Sequence, residues 1–178
     1  MCVKADRVGS FVMLRKDGLV EAFTGEPVPT ICEVCQVVFS NMPTSVLNRN
    51  TAKNVAAHLQ FLDLKRNVIQ AIEPTIGCWV DTDEEVTSVN LEPNGIGKTV
   101  SLVSHIGGED CTYPGDAKTR RQQWKDVTRK IMERDFYVNI TLKSESFDDI
   151  DYLFRIELVE VNDDTFPFPN YLKITKAE

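Results

Sequence analysis

Residues 50–73, NTAKNVAAHLQFLDLKRNVIQAIE, run for 24 positions without a proline or glycine. Val55, Leu59, Leu62, Ile69 and Ile72 can be laid on one helical stripe, with Asp63, Lys65 and Arg66 elsewhere. Leu59, Phe61, Leu62 and Leu64 also alternate in the manner of a strand. The lack of breakers favours a helix, ended by Pro74, whose ring cannot continue the backbone ladder.

This reading sets the fold class. Thr30 stands three residues before Glu33 in a reciprocal cap pattern, with Ile31, Val34, Cys35 and Val38 at helical spacing, so a second helix is expected over 31–41, ending near Pro43. A third is expected over 117–134, with Trp124, Val127 and Ile131 as its apolar stripe. Elsewhere the pattern is strand-like. Phe11–Leu14 and Leu19–Phe23 flank Arg15-Lys16-Asp17-Gly18, which reads as a hairpin turn. Segments 76–80, 86–91 and 99–103 are short and β-branched, and 107–116 reads as a loop. Phe136–Leu142 and Tyr152–Val161 are the clearest strands, paired antiparallel, and 171–175 is a last edge strand after the prolines of Phe166–Pro169. The expected architecture is α+β: one domain over 1–178, a mostly antiparallel sheet with about three packed helices.

The bulk composition fits an ordinary globular chain. It has 178 residues, of which 42% are hydrophobic and 26% charged, enough to bury one core and too few for two independent domains. The segment 1–10 lacks the apolar core of a secretory signal, and no run approaches the length of a membrane span. Five scattered cysteines, an odd number, indicate a reducing and hence cytoplasmic setting.

Charge is distributed unevenly. The net charge is −7, yet 117–134 carries Lys118, Arg120, Arg121, Lys125, Arg129, Lys130 and Arg134 against Asp126 and Glu133 alone. A rigid face of that kind suits phosphates of a nucleic acid, anionic lipid heads or an acidic protein surface. Its structural alternative is an amphipathic helix that neutralises the chain's own acidic loops, such as 145–151.

Five other constellations compete with it. Pro93–Thr99 resembles the Walker A loop of transport-type ATPases, which implies nucleotide binding at Gly95–Thr99, although Glu92 stands where the pattern has glycine. Cys32 and Cys35 have the spacing of half a zinc site, which Cys78, Cys111, His105 or His58 would complete. Cys111 with His105 is the candidate nucleophile and base. The acidic groups Asp81, Asp83, Glu84, Glu85 and Asp148, Asp149, Asp151 lack the glycine and terminal glutamate of a calcium loop and read as solvated turns. Tyr171–Ile174 matches a short adaptor-binding pattern that a terminal strand explains as well.

No complete catalytic set and no cofactor signature is present. The expectation is a non-enzymatic interaction or assembly protein, of the viral accessory or matrix kind, that uses the basic helix on an anionic partner and associates with protein partners or with itself.

Overall fold

The structure, a computed structural model, describes residues 2–20, 27–42, 49–80, 82–83, 86–122, 125–161 and 170–177. Among these, eleven strands and one short helix follow in the order β1 (Cys2–Val20), β2 (Pro27–Met42), β3 (Ala52–Leu62), β4 (Thr75–Ile76), β5 (Cys78–Trp79), β6 (Val89–Leu91), β7 (Lys98–Ile106), β8 (Thr112–Pro114), α1 (Ala117–Arg121), β9 (Asp135–Ser144), β10 (Phe147–Glu160) and β11 (Asn170–Lys176). The fold is therefore two antiparallel sheets, and the expected α+β arrangement with three packed helices is overturned.

One sheet runs β1-β2-β7-β5, with β8 also on β7; the other runs β11-β10-β9-β3-β4, with β6 also on β3. A common core lies between them. Val37 and Phe39 of β2, Val100 and Leu102 of β7, Leu59 and Phe61 of β3, Val138 and Ile140 of β9 and Phe154 of β10 all belong to it. Phe39 meets the Tyr152 ring of the other sheet at a centroid distance of 5.3 Å. The chain crosses between sheets within Thr75–Trp79, and Gly77 is the pivot. A Cβ there would lie 2.7 Å from Val100 Cγ1 and 3.2 Å from Leu59 Cδ1, so the two layers leave no room for a side chain.

The stretch that favoured a helix forms β3 instead. Val55, Ala57, Leu59 and Phe61 are all buried, a period of two, because one face of the strand meets the shared core while β9 pairs along it. Asp63 then ends the strand: its carboxylate accepts the N–H groups of Lys65 and Asn67, both at 2.8 Å, and closes a tight turn. Ile69 and Ile72, placed on the helical stripe by spacing, reach the core from this irregular segment.

The expected 31–41 helix is likewise a strand, the inner part of β2. Residues Cys32, Glu33, Val34 and Cys35 are buried in succession because β2 has partners on both edges and cover on both faces. Glu33 is no helix cap. Its carboxylate accepts the Leu172 N–H of β11 at 2.6 Å inside the protein, which ties one sheet to the other.

The expected turn at Arg15–Gly18 is a register shift within β1, which continues to Val20 and pairs again with β2 at Leu19 and Val20. β8 was missed within the expected loop 107–116. The β9–β10 hairpin and the β11 edge stand as expected. Pro43, Trp124, the Phe166–Pro169 run and Asp81, Glu84 and Glu85 lie outside the described residues.

Candidate functional site

The basic segment leaves β8 through Gly115 and Asp116. Asp116 caps α1 by accepting the Thr119 N–H at 2.9 Å, the usual device for an orphan donor at a helix start. The helix closes after Arg121, one and a half turns on, so the expected basic helix over 117–134 is not formed.

Its continuation is taken over by Asp126. The Oδ1 of this residue accepts both the Thr128 N–H at 3.1 Å and the Thr128 hydroxyl at 2.6 Å, and its carbonyl accepts the Arg129 N–H at 2.9 Å. Such local side-chain bonds offer the backbone an alternative to the helical ladder. Ile131 is next drawn into strand pairing, exchanging two backbone bonds with Thr112 at 2.8 and 3.0 Å. Of the expected apolar stripe, Ile131 is fully buried while Val127 is 59% exposed.

The seven cations meet different partners. Lys118 reaches the buried Asp126 carboxylate at 3.2 Å. Arg120 turns inward, donating to Cys78 Sγ at 3.1 Å and to the carbonyls of Trp79 and Thr82 at 3.4 and 3.2 Å. Lys125 pairs with Glu109, and Arg129 with Asp116. Arg134 donates to the Asn170 side chain at 2.8 Å. Arg121 and Lys130 are exposed. Adding Asp116 and Glu109 to the local balance lowers it from +5 to +3.

Asp116 and Glu109 are the residues that charge counting along the segment missed. Asp116 had a signal, since Asp before Ala117-Lys118-Thr119 is a cap position. Glu109 had none, because its partners Tyr113 and Lys125 are joined by the fold. Burial pushes the Glu109 carboxyl up, but the Lys125 ammonium and the Tyr113 hydroxyl together hold it below the usual carboxylate range. Burial and the Glu109 bond raise the Tyr113 phenol, so it remains a proton donor.

Beside this segment lies an open cleft of about 640 Å³, bordered by Gln70, Glu73, Thr75, Thr87, Asp116, Lys118 and Arg129. The Thr75 hydroxyl and Arg129 both bond Asp116 Oδ2, so the inner polar groups of the cleft satisfy each other.

The rival constellations are separated by the fold. Cys32 and Cys35 are three apart on a strand and point to opposite faces: Cys32 packs in an outer cluster with Val34, Ile106, Cys111 and Tyr113, and Cys35 in the shared core. Burial, then the Glu33 charge, raise the Cys35 thiol well above its ordinary value. Among the described residues no three metal-type side chains converge. His105 Nδ1 contacts the Cys111 carbonyl at 3.0 Å and not its sulfur, while burial raises the Cys111 thiol, which opposes nucleophile formation. His58 lies in β3.

The Gly95–Thr99 segment leads into strand β7, where a phosphate loop would lead into a helix. At its start two amides are already bonded within the protein: Asn94 N–H to the Asn41 carbonyl and Gly95 N–H to the Glu92 carbonyl, both at 3.1 Å. A Cβ on Gly97 would lie 2.5 Å from Val38 Cγ1, so this glycine serves close packing on β2.

No protein family, curated protein or solved structure matches the chain. Among the described residues no helix is long and apolar enough to cross a membrane.

Proposed function

We propose that the protein is a non-catalytic interaction module that binds an acidic protein partner through the 117–134 segment. The supporting observation is the alternation of exposed apolar and basic side chains there: Val127 and Met132 are 59% and 63% exposed, with Arg121 and Lys130 exposed among them. Lys118, Lys125 and Arg129 already face carboxylates, which lowers the attraction for a bare polyanion. A mixed apolar and cationic surface suits a partner that offers carboxylates between apolar side chains, since charge then directs encounter and apolar burial holds the complex.

The test uses a labelled synthetic peptide that alternates Glu with Leu, and a poly-Glu peptide, single-stranded RNA and anionic vesicles as comparisons. The mixed peptide is expected to bind in a salt-dependent manner and more tightly than poly-Glu. Lys130→Glu with Val127→Asp, both at exposed positions, should weaken it about tenfold or more. Equal binding by the double variant, or tighter binding of RNA or vesicles than of the peptide, overturns this reading.

A further inference from the structure

We propose that Asn94 is a self-modification site, at which attack by the Gly95 backbone nitrogen slowly exchanges the side-chain amide for a carboxylate. The pair lies on the crossing from β6 to β7, in the turn Glu92-Pro93-Asn94-Gly95. An asparagine carboxamide is open to the backbone nitrogen of the next residue, and a side chain on that residue stands in the way. Asn94 is the one asparagine of the sequence followed by glycine; every other precedes a residue with a Cβ. Both Asn94 and Gly95 are exposed. Among the described residues the Asn94 side chain has no hydrogen-bond partner, whereas those of Asn41, Asn54, Asn67, Asn90 and Asn170 are all bonded.

The step is a substitution that needs only solvent. The Gly95 nitrogen attacks Asn94 Cγ, the Cγ–Nδ2 bond breaks, and the proton shed by the nitrogen leaves with the departing ammonia. Water then opens the five-membered imide at either of its carbonyls. One product is an ordinary aspartate. The other carries the chain onward through the former side-chain carboxyl, with one more methylene in the backbone.

The turn gates this reaction. Pro93 presets its second position, Asn94 takes the left-handed φ of 57° that the third requires, and the Gly95 N–H closes it on the Glu92 carbonyl at 3.1 Å. Attack needs that nitrogen released, so the rate follows the fraction of time for which the turn is open. Closure is secured from neighbouring strands: the Asn94 N–H bonds the Asn41 carbonyl at 3.1 Å, and the Thr51 hydroxyl bonds the Glu92 carboxylate at 2.6 Å. The lengthened product does not fit the same space. A Cβ on Gly95 would already lie 3.0 Å from Glu92 Cβ, and one on Gly97 2.5 Å from Val38 Cγ1. Conversion therefore releases the turn that carries Ile96, a side chain 96% exposed, and adds a negative charge near Lys98. The change is one-way, because the ammonia is lost to solvent.

The experiment is peptide mapping by mass spectrometry on the full chain stored at neutral pH, folded and in strong urea, with amide hydrogen exchange on fresh and stored protein. The folded wild type should gain acid at Asn94, as aspartate and its backbone-lengthened isomer, before any other asparagine converts. Urea, which removes the Glu92 bond, should speed conversion about fivefold or more. Folded Pro93→Ala, whose turn is less preset, should convert faster than the folded wild type. Stored protein should lose amide protection over residues 92–97. An intact Asn94 in the folded chain, earlier conversion at another asparagine, a rate unchanged by urea or by Pro93→Ala, or undiminished protection in converted protein each overturn the proposal. The 117–134 segment follows the other end of β7 and takes no part, so this outcome and that of the acidic-partner reading are separable.

Discussion

Asp126 has no side-chain exposure, yet it lies in the part of the chain richest in positive charge. Its oxygens divide the work: Oδ1 accepts twice from Thr128, and Oδ2 faces the Lys118 ammonium. Burial raises this carboxyl, and the Thr128 bonds together with Lys118 more than offset that and hold it below its ordinary value. A carboxyl depressed in the folded state binds protons less readily than in the unfolded chain, so its stabilisation is complete above the unfolded value near 4 and fades as pH falls below it. Asp126→Asn should lower stability at neutral pH by about 1–3 kcal/mol and flatten the decline on acidification, read from urea midpoints between pH 7 and pH 2. Equal acid slopes in variant and wild type would show that the buried carboxylate does not set that limb. The same residue shows why spacing misled: an aspartate that bonds the backbone two residues on holds 126–128 in a turn where periodicity alone would continue the helix.

At the element scale the decisive feature is the crossing between sheets at Thr75–Trp79. Gly77 N–H bonds the Ala57 carbonyl at 2.8 Å in one layer, and Cys78 N–H bonds the Gly115 carbonyl at 3.0 Å in the other. Gly77→Ala should cost about 1–3 kcal/mol, because Val100 and Leu59 must both retreat from the new methyl group; an unchanged thermal midpoint would mean that the layers are looser at the pivot than their spacing implies. Strands β9 and β10 were legible because Phe136, Val138, Ile140 and Leu142 alternate inward without competition from another period. β3 was not, since Ala56, Ala57 and Gln60 are good helix formers and its leucines fit both periods; the choice was made by β9, eighty residues on, whose pairing no local pattern announces. β2 failed for a related reason, as a strand covered on both faces loses alternation and leaves a false cap at Thr30 and Glu33. Of the candidate site, the cations were legible as a cluster, but their destinations were not: Glu109 and Asp116 reach Lys125 and Arg129 through β8 and the turns around it.

Across the whole molecule the cysteines report how the two layers are closed. Cys35 lies in the shared core, Cys32 and Cys111 in the outer cluster on the opposite face of the same sheet, and Cys78 on β5 beneath the Arg120 guanidinium; all four are buried, and Cys2 is half-buried. Thiol labelling needs both access and ionisation, and burial raises the Cys35 and Cys111 thiols, so the folded protein should react quickly at Cys2 alone. The remaining four should react only as fast as the chain opens, and all five at once in strong denaturant, with mass spectrometry assigning each site. Since Cys32 and Cys35 face opposite sides of β2, a chelator should leave the thermal midpoint unchanged, whereas a structural zinc site would lose folding free energy with its metal. Joint rapid labelling of Cys32 and Cys35, or a midpoint lowered by chelator, would require both sulfurs on one accessible surface. That would break the alternation of β2 and, with it, the packing of Cys35, Val37 and Phe39 against the second sheet on which the two-layer fold depends.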